Sequence, residues 1–209
     1  MAGKRVLMVE GRDDEHVVKN ICGQRQLGVI TTIEHPDGKD ALLKAISVRL
    51  KESDIEALGI MLDADTDLLA SWQAVKDRLT ASGYPHIPVA PDAEGTVITA
   101  PPATLLPRVG VWLMPNNQVP GILEDFLRFL VPVDDALWTL ADQAVERIPH
   151  EEQRFSDLKK PKACLHTWLA WQEEPGKPFG QAISARYLDP TLPAGEMLTS
   201  WLRRMFFTP

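Results

Sequence analysis

The stretch "VLMVEGRDDE", residues 6–15, joins an apolar run to Glu10, a glycine and three more acidic residues. A short continuous apolar run of this kind predicts a β-strand that is covered on both faces. From Asp13 onward apolar residues recur at helical spacing, at positions 17, 18, 21 and 22, with Asp13 as the expected N-cap. The stretch therefore predicts a strand that leads directly into a helix, with carboxylates at the junction.

The same alternation of strand and helix continues through the first 83 residues. We expect further strands at 28–35 and 56–65, and amphipathic helices at 38–52 and 67–83. Strands that alternate with helices at this spacing are joined by crossovers and pair in parallel. The sequence therefore predicts an α/β, Rossmann-like fold with a mostly parallel central sheet.

The second half of the chain follows a different pattern. The stretch 84–121 is rich in proline and contains two β-like runs, 96–100 and 109–114. We expect later strands here, and an antiparallel hairpin fits because sheet edges tolerate proline. The remainder is mainly helical, so we expect an α/β domain at 1–131 and a helical C-terminal extension, 132–209, packed on it. The apolar side of the last helix fits either the core or a partner-binding face: Trp201, Leu202, Met205 and Phe206.

Composition limits the classes of protein to consider. Of the 209 residues, 44% are hydrophobic and 24% charged, which is typical of a globular protein. The formal net charge of −7 argues against a broad, nonspecific nucleic-acid binder but leaves room for a local basic patch. Two isolated cysteines argue against a zinc site or a disulfide framework. The N-terminus lacks the features of a signal peptide, and no apolar stretch approaches the ~20 residues that span a membrane, so we expect a cytoplasmic protein.

A second acidic stretch, "MLDADTD" at 61–67, follows the third predicted strand. Ligands of parallel sheets bind beyond the carboxyl ends of the strands, so Glu10 and this stretch should meet at one edge. Asp63 and Asp65 are two residues apart, and in extended backbone both side chains would project to the same side. Asp14, one helical turn after Glu10, can point back toward them. Such crowded carboxylates repel one another, and a magnesium ion would remove that repulsion, which predicts a metal site suited to phosphodiester chemistry.

Not every acid in these loops needs a metal. Asp and Glu near a helix N-terminus cap the helix and complement its dipole. This structural role is the favoured interpretation of Asp13 and of Asp67. For Glu10, Asp63 and Asp65 together, the conjunction of two acidic strand ends favours the metal site.

The pair "VEGRDDE" and "LDADTD" resembles the Toprim domain, the catalytic module of primases, topoisomerases, OLD-family nucleases and ribonucleases that mature 5S ribosomal RNA. Glu10 matches the glutamate after the first Toprim strand, and Asp63 with Asp65 matches the aspartate-x-aspartate after the third. Asp14 matches the second acid of OLD-type nucleases. The segment "GVWLMPNNQVPGILEDFL" also resembles a family of small bacterial Toprim proteins. The resemblance implies a Rossmann-like fold, dependence on Mg²⁺, for which Mn²⁺ can substitute, and phosphoryl transfer.

The resemblance leaves several functions open. A topoisomerase would need a catalytic tyrosine and strand-gating domains, and a replicative primase a zinc-binding module, and neither fits this chain. A magnesium-dependent nuclease acting on DNA or RNA remains, as does the effector subunit of an ATPase-partnered phage-defence system of the OLD type. The alternative is a Toprim fold that binds or regulates without turnover. Homo-oligomerisation is left open.

Two further groups of residues are candidates for the site. Glu124, in "GILEDFLRFLV", is either one half of a surface ion pair with Arg128 or a late acid at a second metal site. The lysines of "SDLKKPKACLH" form either a solvated basic loop or contacts to substrate phosphate: Lys159, Lys160 and Lys162. Lys162 is favoured for charge stabilisation, as OLD-type nucleases use a C-terminal lysine. The predicted catalytic set is Glu10, Asp63, Asp65 and Lys162, and the predicted metal ligands are Glu10, Asp14, Asp63, Asp65 and Glu124.

Overall fold

The computed structural model describes residues 3–208, which form a central sheet with helices on both faces. Its five strands are β1 (Lys4–Met8), β2 (Thr32–Glu34), β3 (Ile55–Asp63), β4 (Thr96–Ile98) and β5 (Arg108–Met114). The α-helices are α1 (Arg12–Gln24), α2 (Lys39–Arg49), α3 (Leu68–Ala81), α4 (Leu123–Arg128), α5 (Ala136–Glu146), α6 (Lys160–Ala170), α7 (Phe179–Ser184) and α8 (Pro193–Phe206). Two short 3-10 turns, His150–Glu152 and Asp157–Lys159, precede α6.

The strand order is β2-β1-β3-β5-β4, and every neighbouring pair is parallel except β4 with β5. This confirms the predicted α/β fold with a mostly parallel sheet, an arrangement compatible with a Rossmann-like fold. The antiparallel pairing of β4 with β5 at the sheet edge is also confirmed. The carboxyl ends of β1 and β3, which are neighbours at the centre of the sheet, therefore lie side by side.

Strand β2 is shorter than the predicted 28–35. Backbone pairing with β1 begins at Thr32, opposite Val6. One residue earlier, the hydroxyl of Thr31 accepts a hydrogen bond from the backbone amide of Arg5 at 3.0 Å. A side-chain oxygen therefore takes the place of the backbone carbonyl with which this amide would pair if the strand continued. The edge of the sheet is consequently only three residues long at this strand.

Two hydrophobic cores cover the two faces of the sheet. Helices α2 and α3 pack on one face, and α1, α4 and the C-terminal helices pack on the other. Helix α8 lies directly on the strands, because a Cβ at Gly59 would stand 2.7 Å from Phe206 and one at Gly110 would stand 2.6 Å from Met205. The apolar side of α8 is therefore part of the core. The domain boundary near residue 132 stays a prediction.

In residues 3–208 no helix combines the length and the apolar character that crossing a membrane requires.

Candidate active site

An acidic cleft of about 560 Å³ opens at the carboxyl edge of the sheet. Its buried and partly buried acids come from three parts of the fold: the β1–α1 junction, the end of β3 and the start of α4. They are Glu10, Asp14, Asp63 and Glu124. The exposed Asp13 and Asp37 also line the cleft, together with Arg12 and with Lys162 from α6. The structure thus brings together four of the five predicted metal ligands and one of the predicted lysines.

Glu10 joins the two central strands at the cleft. It lies two residues beyond the end of β1, and its Oε2 accepts a hydrogen bond from the backbone amide of Asp63 at 3.1 Å. Burial raises the pKa of Glu10, and the backbone amides of Asp63 and Lys39 partly offset that effect. The structure therefore confirms that Glu10 and Asp63 lie together at the ends of neighbouring strands.

Asp14 closes the first turn of α1 and also faces the cleft. The N-cap is Gly11, whose backbone amide donates to Oδ2 of Asp14 at 3.1 Å. The prediction that Asp13 caps this helix is wrong: the helix begins at Arg12, which places Asp13 inside the first turn with its side chain exposed. Asp14 is 7% exposed, and its second carboxylate oxygen, Oδ1, is buried without a hydrogen-bond partner.

Asp63 is the most strongly perturbed acid of the cleft. Burial, reinforced by the negative charges of Asp14 and Glu10, raises the pKa of Asp63 to about 9. Burial and repulsion from Glu10 likewise raise the pKa of Asp14 to about 7. Oδ1 of Asp63 is a second buried oxygen that lacks a hydrogen-bond partner. Only protons or a cation can relieve this crowding of negative charge.

Glu124 is buried in the cleft wall. It is 5% exposed, and its Oε1 lies 2.8 Å from Nζ of Lys162 on α6. The alternative of a surface pair with Arg128 is wrong, because the guanidinium of Arg128 stacks instead over the ring of Trp138, 5.6 Å from its centroid. The short helix α4 packs against α6, so its first turn points to Lys162 rather than to solvent.

Asp65 does not line the cleft. Strand β3 ends at Asp63, and Asp65 adopts a left-handed backbone with φ of 54°, so the expectation of extended backbone through both residues is wrong. The backbone amide of Asp65 donates to the carbonyl of Gly121 at 2.9 Å, which holds the turn away from the strand direction. The Asp65 carboxylate instead forms an ion pair with Lys39, with 2.5 Å between Oδ2 and Nζ.

Lys39 is a residue that the sequence patterns did not predict. It begins α2, five residues after the end of β2, and it therefore reaches the same sheet edge as the acids. The available signal was its position: a lysine at the start of the predicted helix 38–52, next to the sheet edge where two acidic strand ends were expected.

The remaining predicted residues lie elsewhere. Lys160 pairs with Glu146 at 3.1 Å, and neither Lys160 nor the exposed Lys159 lines the cleft. The predicted capping role of Asp67 is confirmed, because its Oδ1 accepts from the backbone amide of Ala70 at 2.9 Å.

The side chains of the cleft offer the oxygen donors that a hard cation held through few protein ligands would need. Within residues 3–208, no three His, Cys, Asp or Glu side chains are grouped so as to hold a metal ion by themselves. Magnesium, however, is usually held by one or two carboxylates, with water and substrate phosphate completing its shell. The unpartnered oxygens of Asp14 and Asp63 are carboxylate oxygens of the kind that such an ion would take.

A family model described as a protein of unknown function (DUF3226) matches residues 4–207. The chain belongs to this family. No curated protein and no solved structure gives a significant match. The family match covers the α/β part and the C-terminal helices together, so it includes every residue of the cleft.

Proposed function

We propose that the protein is a magnesium-dependent hydrolase of phosphodiester bonds in nucleic acid, similar to Toprim nucleases. The observation that carries this proposal is the cleft itself, where acids from three elements converge and two buried carboxylate oxygens lack partners. The resemblance to Toprim domains supports it, because two residues of that pattern, Glu10 and Asp63, line the cleft. Manganese should substitute for magnesium, since both accept oxygen ligands.

Each residue of the cleft has a role that follows from its surroundings. Asp14 and Asp63 would hold the ion with Glu124 beside them, and the ion, when bound, would neutralise phosphate charge and activate a water. Glu10 is held by a backbone amide and has a raised pKa, which suits a group that accepts and returns a proton. Lys162 is half-exposed at the cleft and can turn from Glu124 to a substrate phosphate.

The substrate needs more positive charge than this cleft provides. Of the three lysines predicted to contact phosphate, only Lys162 lies there, and it is shared with Glu124. Binding of DNA or RNA by the isolated chain should therefore be weak and strongly salt-dependent. We propose that a partner, of the ATPase type that accompanies OLD nucleases, supplies additional binding surface.

The test is a cleavage assay with purified protein, manganese, low salt, and supercoiled plasmid or labelled single-stranded RNA. We expect slow cleavage by the wild type and a loss of about 10²–10⁴-fold in Glu10→Gln, which removes the proton-transfer group. The matched control is Asp67→Asn, which also changes an acid to its amide near β3 but keeps a side-chain oxygen that caps α3.

Two results would contradict the proposal. One is the absence of cleavage of either substrate, with and without candidate ATPase partners. The other is cleavage by Glu10→Gln at the wild-type rate, which would assign the activity to a contaminant or to another site.

A further inference from the structure

The ammonium group of Lys39 is held by three oxygens. Its Nζ lies 2.5 Å from Oδ2 of Asp65, 2.8 Å from the backbone carbonyl of Asp63 and 2.8 Å from Oγ of Ser71. A lysine ammonium has three hydrogens to donate, so these contacts use its full capacity. Ser71 is itself fixed, because its hydroxyl donates to the carbonyl of Ala64 at 3.0 Å.

This arrangement gives the two aspartates after β3 opposite surroundings. Asp63 turns its carbonyl to Lys39 and its carboxylate to the cleft. Asp65 turns its carboxylate to Lys39 and contributes no side chain to the cleft lining. One cationic group thus already stands behind the strand end, surrounded by oxygens as a metal ion would be.

The contacts exclude the simplest alternative role for Lys39, that of a ligand for substrate phosphate. Its hydrogens are all engaged, and only 23% of its side chain is exposed. Releasing it would leave the Asp65 carboxylate without its countercharge. Lys162, by contrast, makes one ion pair and is 45% exposed.

We propose that Lys39 is a built-in cation that takes the place of a second metal ion, so that the cleft binds a single divalent ion. Asp65 is then a positioning residue, which holds Lys39 and the turn after β3, rather than a metal ligand. This inference rests on the proposed function, since it concerns the metal content of the same cleft.

The experiment measures how many ions each chain binds, by titration calorimetry with magnesium alone and by electron paramagnetic resonance of bound manganese. The wild type should bind one ion and show the spectrum of an isolated manganese. Lys39→Met should bind two, because the freed Asp65 carboxylate, the Asp63 carbonyl and Ser71 form a second oxygen site. The double variant Lys39→Met/Asp65→Asn should return to one ion.

The matched control is Lys44→Met, which removes the same charge from an exposed position on the same helix and should leave one ion bound. Asp65→Asn serves if Lys39→Met does not fold, and it should also bind one ion. Two ions in the wild type, one ion in a folded Lys39→Met, or loss of binding in Asp65→Asn would overturn the role of Lys39. These outcomes leave the proposed function standing, whereas a wild type that binds no divalent ion would overturn both.

Discussion

Asp63 and Asp65 are two residues apart, yet they face opposite electrostatic environments. Asp63 faces other carboxylates across a cleft, and its pKa is raised to about 9 by burial and by those neighbours. Asp65 faces the ammonium of Lys39. The difference shows that an acidic motif does not define a metal site by itself. The acid that no cationic side chain pairs with is the one available to a cation.

The backbone causes this difference. Asp63 is the last residue of β3 to pair with β5, opposite Met114. After Ala64 the chain turns, and the hydrogen bond from the amide of Asp65 to Gly121 fixes the new direction. A carboxylate that extended backbone would have delivered to the cleft therefore points to α2 instead.

If Asp63, unlike Asp65, is open to a cation, the largest expected effect is the stabilisation of the folded protein by magnesium. An ion that binds only the folded protein should stabilise the wild type by about 2.7 kcal/mol at a concentration of 100 Kd, which raises the thermal midpoint by roughly 5–10 °C. Asp63→Asn should lose this response, because it removes a carboxylate from the proposed metal site. Thermal unfolding with and without magnesium measures both, and a full response in Asp63→Asn would place the ion elsewhere.

The second effect is the dependence of stability on pH in the metal-free protein. Asp63 and Asp14 have pKa values of about 9 and about 7 when folded, whereas an unfolded Asp titrates near about 3.9. The folded state therefore holds extra protons, and the stability this provides is fully present below about pH 4 and is lost as pH rises through both folded values. We expect the free energy of unfolding to fall steadily between about pH 5 and about pH 9.

Urea denaturation in the presence of a chelator measures this decline, and the Asp14→Asn variant tests its cause. The amide cannot ionise but retains an oxygen for the amide of Gly11, so this variant should be the more stable protein at high pH. A decline of the same size in Asp14→Asn and in Asp63→Asn would assign the pH dependence to other groups.

Much of the site could be predicted from the sequence, and the reason is the regularity of parallel sheets. Two apolar strands that end in acids must deliver them to one edge, which places Glu10 beside Asp63. The turn after Asp63 could not be predicted, since it depends on a contact with Gly121, far away in the chain. The partner of Glu124 was missed for the same reason, because helical spacing indicates Arg128 while the packing of α4 on α6 selects Lys162.

A third prediction separates the two lysines of α6. Lys162 pairs with an acid of the cleft, whereas Lys160 pairs with Glu146 outside it. Lys162→Gln should slow cleavage by about tenfold, the equivalent of about 1.4 kcal/mol in the transition state, because it removes a cation that lines the cleft. Lys160→Gln should cleave at the wild-type rate. Equal losses in both variants would indicate a general electrostatic effect on nucleic-acid binding.

The smallest effect concerns Asp67, the third aspartate of "DADTD". In the structure it neither lines the cleft nor forms an ion pair with a lysine. Its carboxylate accepts from the backbone amide of Ala70 and so caps α3. Asp67→Ala should lower the free energy of unfolding by about 1 kcal/mol, the usual value of a lost N-cap, while Asp67→Asn should be nearly neutral. Magnesium should stabilise both variants as much as the wild type, which urea denaturation with and without the ion would measure. A weaker magnesium response in Asp67→Asn would extend the proposed metal site to the third aspartate. It would contradict the distinction between the acids of the cleft and the capping role of Asp67.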